Sequence, residues 1–189
     1  MSFPPSSSIH DPLGVRRARW PIRLAWIAGG VLALALASRA AVPIGPVPIT
    51  LQTLAVTLIG ALYGWRFGAA TVIAWLALAA SGLPLLSDGA GGTEPFTGVT
   101  AGYLLAFPLA AAATGVLAER GWNGARPGRA FLAMLIGNAL CLVLGTAWLA
   151  TAMGAAAIEA GLVPFLPGAV LKSAAGAAVL HGLARLKAP

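Results

Sequence analysis

The chain has 189 residues, 59% of them hydrophobic and only 9% charged, with a formal net charge of +7. A soluble domain carries about 25% charged residues, so this chain cannot cover a water-facing surface and reads as an integral membrane protein. Its basic residues sit in short flanks between apolar runs, as topology signals do, and not in a stripe interleaved with aromatics, which argues against nucleic acid as a partner.

Residues 1–21 hold Pro, Ser and the arginines Arg16, Arg17 and Arg19 but no apolar core. They are read as a flexible cytoplasmic tail and not as a signal peptide. Residues 22–189 are read as a single membrane domain. Its first span covers about 22–41, long enough to cross a bilayer. Ala33, Ala37 and Ala41 recur there every four residues, on one helix face. Such a small-residue face suits internal packing or the close approach of an external helix.

Next comes a segment at 42–60 with Pro43, Pro46 and Pro48, a spacing that forbids a helix at its start. Non-helical backbone at membrane depth persists only where protein buries it or where it lines a cavity, so this segment marks a place to look for a site. Thr50 is expected to cap a short second span over 51–63. Thr50, Thr53, Thr57 and Gly60 share one face of it, with Gln52 in the first turn. That face suits interhelical hydrogen bonding or a polar wall against a ligand.

A tight turn is expected over 63–67, with Trp65 and Arg66 as interfacial anchors, and then a third span over 68–81. Residues 81–103 form a long loop rich in Gly, Pro, Ser and Thr, whose only charges, Asp88 and Glu94, are expected to be solvated. The Gly91-Gly92 pair lacks the surrounding pattern of a phosphate loop. A fourth span covers about 101–117, a basic loop carries Arg120, Arg126 and Arg129, and a fifth span covers about 130–153. That span includes Cys141, read as a packing residue, and Asn138, whose amide must be hydrogen-bonded or face a cavity. The sixth span starts near 164–168, with Pro167 in its first turn, and ends near 186.

Six spans place both termini on one side. Arg16, Arg17, Arg19, Arg23, Arg66, Arg120, Arg126, Arg129, Arg185 and Lys187 share that side, which the positive-inside rule makes cytoplasmic. The proline segment, the Gly-rich loop and the start of the sixth span then meet at the outer face. Two cations fall elsewhere. Arg39 lies at the outer end of the first span, and Lys172 lies inside the sixth. A lysine at such depth is costly and points to function, and next to a helix N-terminus it makes a site for a carboxylate. His10 and His181 have no carboxylate or nucleophile at their depth, so no catalytic set is visible. No spacing of His, Cys, Asp or Glu suits a metal, and no nucleotide site is present.

Four stretches, in order, resemble the BioY family, the biotin-specific S components of energy-coupling factor (ECF) transporters. They are VPIGPVPITLQTLAVTLIGALYG at 42–64, SGLPLLSDGAGG at 81–92, TAGYLLAFPLAA at 100–111, and GTAWLA at 145–150 followed by VPFLPGAVLK at 163–172. The resemblance implies a six-helix fold in the cell (inner) membrane, with a biotin pocket open to the outside. It also implies docking to a transmembrane coupling subunit through Ala33, Ala37 and Ala41, with ATP consumed only by partner ATPases and no cofactor on this chain.

Biotin has an apolar bicyclic body, a polar ureido edge and a carboxylate. Its pocket would draw on Tyr103 and Phe165 as walls, Gln52, Thr53 and Asn138 as polar groups, and Lys172 as the cation. The sequence departs from the family at Ala169, where an aspartate is usual three residues before the lysine. Asn138, Gln52 or Asp88 would have to supply that acceptor. Val99 and Ala101 also replace a usual proline and glycine. Two competing readings are an S component for a different vitamin and an intramembrane enzyme, the latter lacking any acid, base or metal set beyond an isolated lysine.

Overall fold

The computed structural model describes residues 13–15, 18–43 and 46–186. Most of the tail expected at 1–21, together with Arg16, Arg17 and Lys187, lies outside the described residues. Val15, within the described part, is fully buried against the main apolar cluster.

The chain is mostly helical. Helix α1 (Trp20–Arg39) begins two residues earlier than expected because Pro21 occupies its first turn, where a missing N–H removes no hydrogen bond. It turns the stripe Gly30, Leu34 and Ser38 inward and leaves Trp20, Ile22, Leu32 and Leu36 exposed. An apolar helix buried along so narrow a stripe sits at the edge of a bundle, with its other sides uncovered by this chain's described residues.

The proline segment resolves its backbone by pairing with itself. Strand β1 (Ala41–Val42) runs antiparallel to β2 (Ile49–Thr50), with Ala41 opposite Thr50 and Val42 opposite Ile49. The Leu51 N–H continues the ladder to the Ala40 carbonyl at 3.2 Å. Thr50 therefore ends a strand, and Leu51 is the N-cap residue of the next helix. The Thr50 hydroxyl still accepts the Gln52 N–H at 3.3 Å, so a threonine near this helix start does serve an orphan donor.

Helix α2 (Gln52–Ala80) is broken at Gly64, where φ is 79° and ψ is 168°. Only glycine adopts that conformation without strain. The chain folds back there. A Cβ built on Gly68 would sit 2.8 Å from the Gly60 Cα, although eight residues of unbroken helix would separate them by about 12 Å. The two parts, 52–63 and 65–80, thus lie side by side. The turn expected over 63–67 shrinks to one residue, and the Trp65 N–H that it releases is accepted by Glu119 Oε1 at 3.3 Å.

Residues 81–100 form an irregular connection with single 3₁₀ turns at Ser87–Gly89 and Glu94–Phe96. It is pinned along its length. Trp75 Nε1 donates to the Leu85 carbonyl at 3.2 Å and Trp148 Nε1 to that of Gly98 at 3.1 Å. The Gly92 N–H donates to the Ala79 carbonyl at 2.7 Å.

Helix α3 (Ala101–Glu119) packs against both α2 and α4 (Pro127–Met153), and the short α5 (Ala156–Gly161) leads into α6 (Leu166–Leu186). Among the described residues, five helical stretches are long and apolar enough to cross a membrane, α5 and α6 counting as one. The main core lies where α2 meets α3, with Trp75 stacked on Phe107 at 5.9 Å between ring centroids. The reversal at Gly64 meets the end of α3, and His181 Nδ1 lies 2.8 Å from the Gly124 carbonyl, so the C-terminal part of α6 and the α3–α4 loop share that end. The strand pair, the 81–100 connection and the start of α6 gather at the other.

Candidate binding site

Where those three segments meet lies a cavity of about 370 Å³, within the range of about 300–1,000 Å³ usual for small-molecule sites. Its wall comes from the strand pair (Val47, Pro48, Thr50), the connection (Leu86 to Thr100), α3 (Tyr103, Leu104, Phe107), α4 (Asn138, Cys141, Leu142), Phe165 and α6 (Ala169, Lys172). Gln52, Thr53, Asp88, Tyr103, Asn138, Phe165 and Lys172, which sequence patterns single out, all border it.

Lys172 is half-buried, one and a half turns into α6. Its Nζ donates to Thr53 Oγ1 on α2 at 3.3 Å. Among the described residues no carboxylate forms an ion pair with it. Asp88 and Glu94 also border the cavity but form no ion pair with Lys172, so an anionic group entering the site would meet an unpaired cation at low dielectric, where attraction is strong.

Tyr103 and Phe165 make one apolar wall, their rings 6.4 Å apart and inclined by 31°. The Tyr103 hydroxyl donates to the Gly161 carbonyl at 2.8 Å and lies 3.3 Å from Thr146 Oγ1. Gly145 leaves room for the ring, because a Cβ there would collide with it. The aromatic wall is thus locked from behind by α4 and α5.

Gln52 is also locked. Its Nε2 donates to Ser38 Oγ on α1 at 3.0 Å, and its Oε1 accepts from the Thr50 hydroxyl at 3.0 Å. Both ends of the amide are engaged, one joining α1 to α2 and the other held by Thr50 at the end of β2. Asn138 has only 2% of its surface exposed and donates through Nδ2 to the Met134 carbonyl and to Ser173 Oγ. Asp88 is exposed at the rim with φ of 55°, a left-handed conformation that Asp tolerates better than most residues. Ala169 borders the cavity one turn before Ser173, and its carbonyl accepts the Ser173 hydroxyl.

Arg39, the other cation expected outside the cytoplasmic set, stands apart from Lys172. It lies outside the lining and donates to the Pro84 carbonyl at 3.0 Å, tying the end of α1 to the 81–100 connection. Ser38 and Ser173, buried polar residues in apolar helices, carry bonds that fix the site and had no motif to mark them. Their signal was only polarity at membrane depth.

The sequence model of the BioY family matches residues 11–188. The biotin transporter BioY of Rhizobium etli is 41% identical over 140 residues, covering 70% of this chain and 75% of that one. The biotin transporter BioY2 of Lactococcus lactis subsp. cremoris is 33% identical over 170 residues, covering 87% and 90%. Among solved structures, the S-component for biotin from an ECF-type ABC transporter superposes with a TM-score of 0.73 over 89% of this chain and 95% of that one, at 24% identity. That likeness concerns the fold.

Proposed function

The chain belongs to the BioY family, and from that premise we propose that it binds biotin in the cavity and serves its uptake across the cell membrane. Its named relatives are transporters, so it is a transport subunit and not an enzyme. One observation carries the assignment of the site. The cavity of about 370 Å³ joins an apolar aromatic wall to a lysine with no carboxylate beside it, which suits a ligand with an apolar body and a carboxylate tail.

In this reading the membrane domain crosses the bilayer six times. The reversal at Gly64 supports it by dividing α2 into two crossings. The proline segment and the Gly-rich connection form the outer rim, and Arg66, Arg120, Arg126, Arg129 and Arg185 face the cytoplasm with both termini. Lys172 holds the biotin carboxylate. Tyr103 and Phe165 hold its ring system, with Thr53, Asn138 and Asp88 at its polar edges, while Gln52, its amide engaged by Ser38 and Thr50, braces the wall.

Ala33 and Ala37 dock a transmembrane ECF coupling subunit whose ATPase partners supply the energy; Ala41, expected on the same helix face, lies beyond the end of α1 and pairs with Thr50 in β1. Support comes from α1 itself: its buried stripe is Gly30, Leu34 and Ser38, which leaves Ala33 exposed and Ala37 half-buried on a neighbouring face.

Isothermal titration of the purified protein against biotin and a panel of other vitamins tests the assignment. Saturable one-to-one binding of biotin in preference to the rest is expected, and a preference for another vitamin would overturn it.

A further inference from the structure

Asn138 is the most enclosed polar residue on the cavity wall, and its amide is not free to turn. The Met134 carbonyl only accepts, so the side-chain atom 3.0 Å from it must be the NH₂ group. Ser173 agrees. Its hydroxyl hydrogen goes to the Ala169 carbonyl at 2.7 Å, so its oxygen is left to accept the second Asn138 N–H at 3.2 Å. Both amide donors are thereby engaged on the protein side.

Oδ1 takes no bond from the described residues, and it is not among the sealed side-chain atoms that lack a partner. It is a fixed, neutral acceptor open to the cavity. The Gln52 carbonyl, by contrast, is already taken by Thr50.

We infer that Asn138 Oδ1 is the acceptor for a ureido N–H of the ligand, and that Ser173 is the positioning residue that keeps this oxygen, and not the NH₂, turned to the cavity. The inference rests on the biotin reading above and names the group that sets its specificity. A ligand bound here must present an N–H to α4 while its carboxylate meets Lys172. A neutral acceptor also leaves the lysine as the uncompensated charge of the inner wall, which a carboxylate at residue 169 would have offset. The proposed pocket thus reads one edge by a dipole and the other by a charge.

The test compares biotin with its derivatives methylated on either ureido nitrogen, by calorimetric titration of the wild type, Asn138→Ala and Ser173→Ala. The wild type is expected to favour biotin over one of the two derivatives by at least about tenfold, because a site built to bond an N–H rejects the analogue that lacks it. In Asn138→Ala that ratio falls to within about twofold, since the pairing it reports is gone. In Ser173→Ala the ratio falls to an intermediate value, because the amide loses one of its two anchors.

General damage to the pocket would weaken biotin and derivative alike and leave the ratio in place. A ratio that persists in Asn138→Ala reports steric exclusion of the methyl group and overturns the inference. So does a wild type that binds biotin without discriminating. Should Asn138→Ala fail to fold, an unchanged ratio in Ser173→Ala overturns it. A wild type that binds no biotin at all overturns the functional reading itself, a separate result.

Discussion

Lys172 on α6 and Thr53 on α2 are 119 residues apart in sequence and 3.3 Å apart in space, the lysine ammonium donating to the threonine hydroxyl. The next residue, Ser173, reaches Asn138 on α4. Two consecutive residues of α6 thus tie together the helices that enclose the cavity, one through a charge and one through a hydroxyl. A ligand carboxylate drawn to Lys172 would enter at the junction of α2 and α6.

Replacing Lys172 with alanine is expected to weaken biotin binding at least about tenfold, or about 1.4 kcal/mol. The melting temperature should hold, because the lysine makes one weak bond and removing it unburies nothing apolar. Calorimetry together with thermal unfolding in detergent reads both. Unchanged affinity would remove Lys172 from the site.

Gln52→Ala should act first on stability. It takes a partner from both Ser38 and Thr50 in a buried setting, a loss of about 1–3 kcal/mol. A lowered melting temperature, with affinity reduced only to match, is the expected pattern. Full stability with abolished binding would instead make Gln52 a direct ligand contact.

Gly64→Ala places a side chain at φ 79° and ψ 168°, a region that costs other residues about 1–3 kcal/mol. It should therefore unfold at lower temperature. The reversal itself is tested by single cysteines. With Cys141 fully buried and silent, Trp65→Cys should react with an impermeant thiol reagent only from the cytoplasmic side and Ser81→Cys only from outside. Labelling of both from one side would discard the six-crossing topology.

Ala37→Leu in the first helix should leave biotin affinity unchanged, because the face it occupies lies beside the stripe packed on α2 and not on it. Co-purification with an ECF coupling subunit should fall sharply, since a bulky side chain holds two helices apart. Undiminished co-purification would place the docking surface elsewhere.

Much of this was legible without coordinates, and the reasons are local. Long apolar runs announced the helices, since only a helix satisfies its own backbone in lipid. The prolines at 43, 46 and 48 announced a break for the same reason, and a lysine five residues into an apolar helix marked, by its cost, a candidate site to examine. Order alone brought the proline segment, the Gly-rich connection and the start of α6 to one end, because each apolar span reverses the chain's direction.

What the sequence could not decide was how each polar group divides its bonds. Gln52 and Asn138 stood equally as candidate polar contacts, and Arg39 as an outer cation with no assigned partner. Ser38 engages the first, Met134 and Ser173 orient the second, and Pro84 holds the third outside the lining. Met134 is one turn back on the same helix, but the other partners lie 14, 35 and 45 residues away. Only packing sets such pairings, because a hydrogen bond depends on where two helices come to rest against each other and not on the spacing within either one.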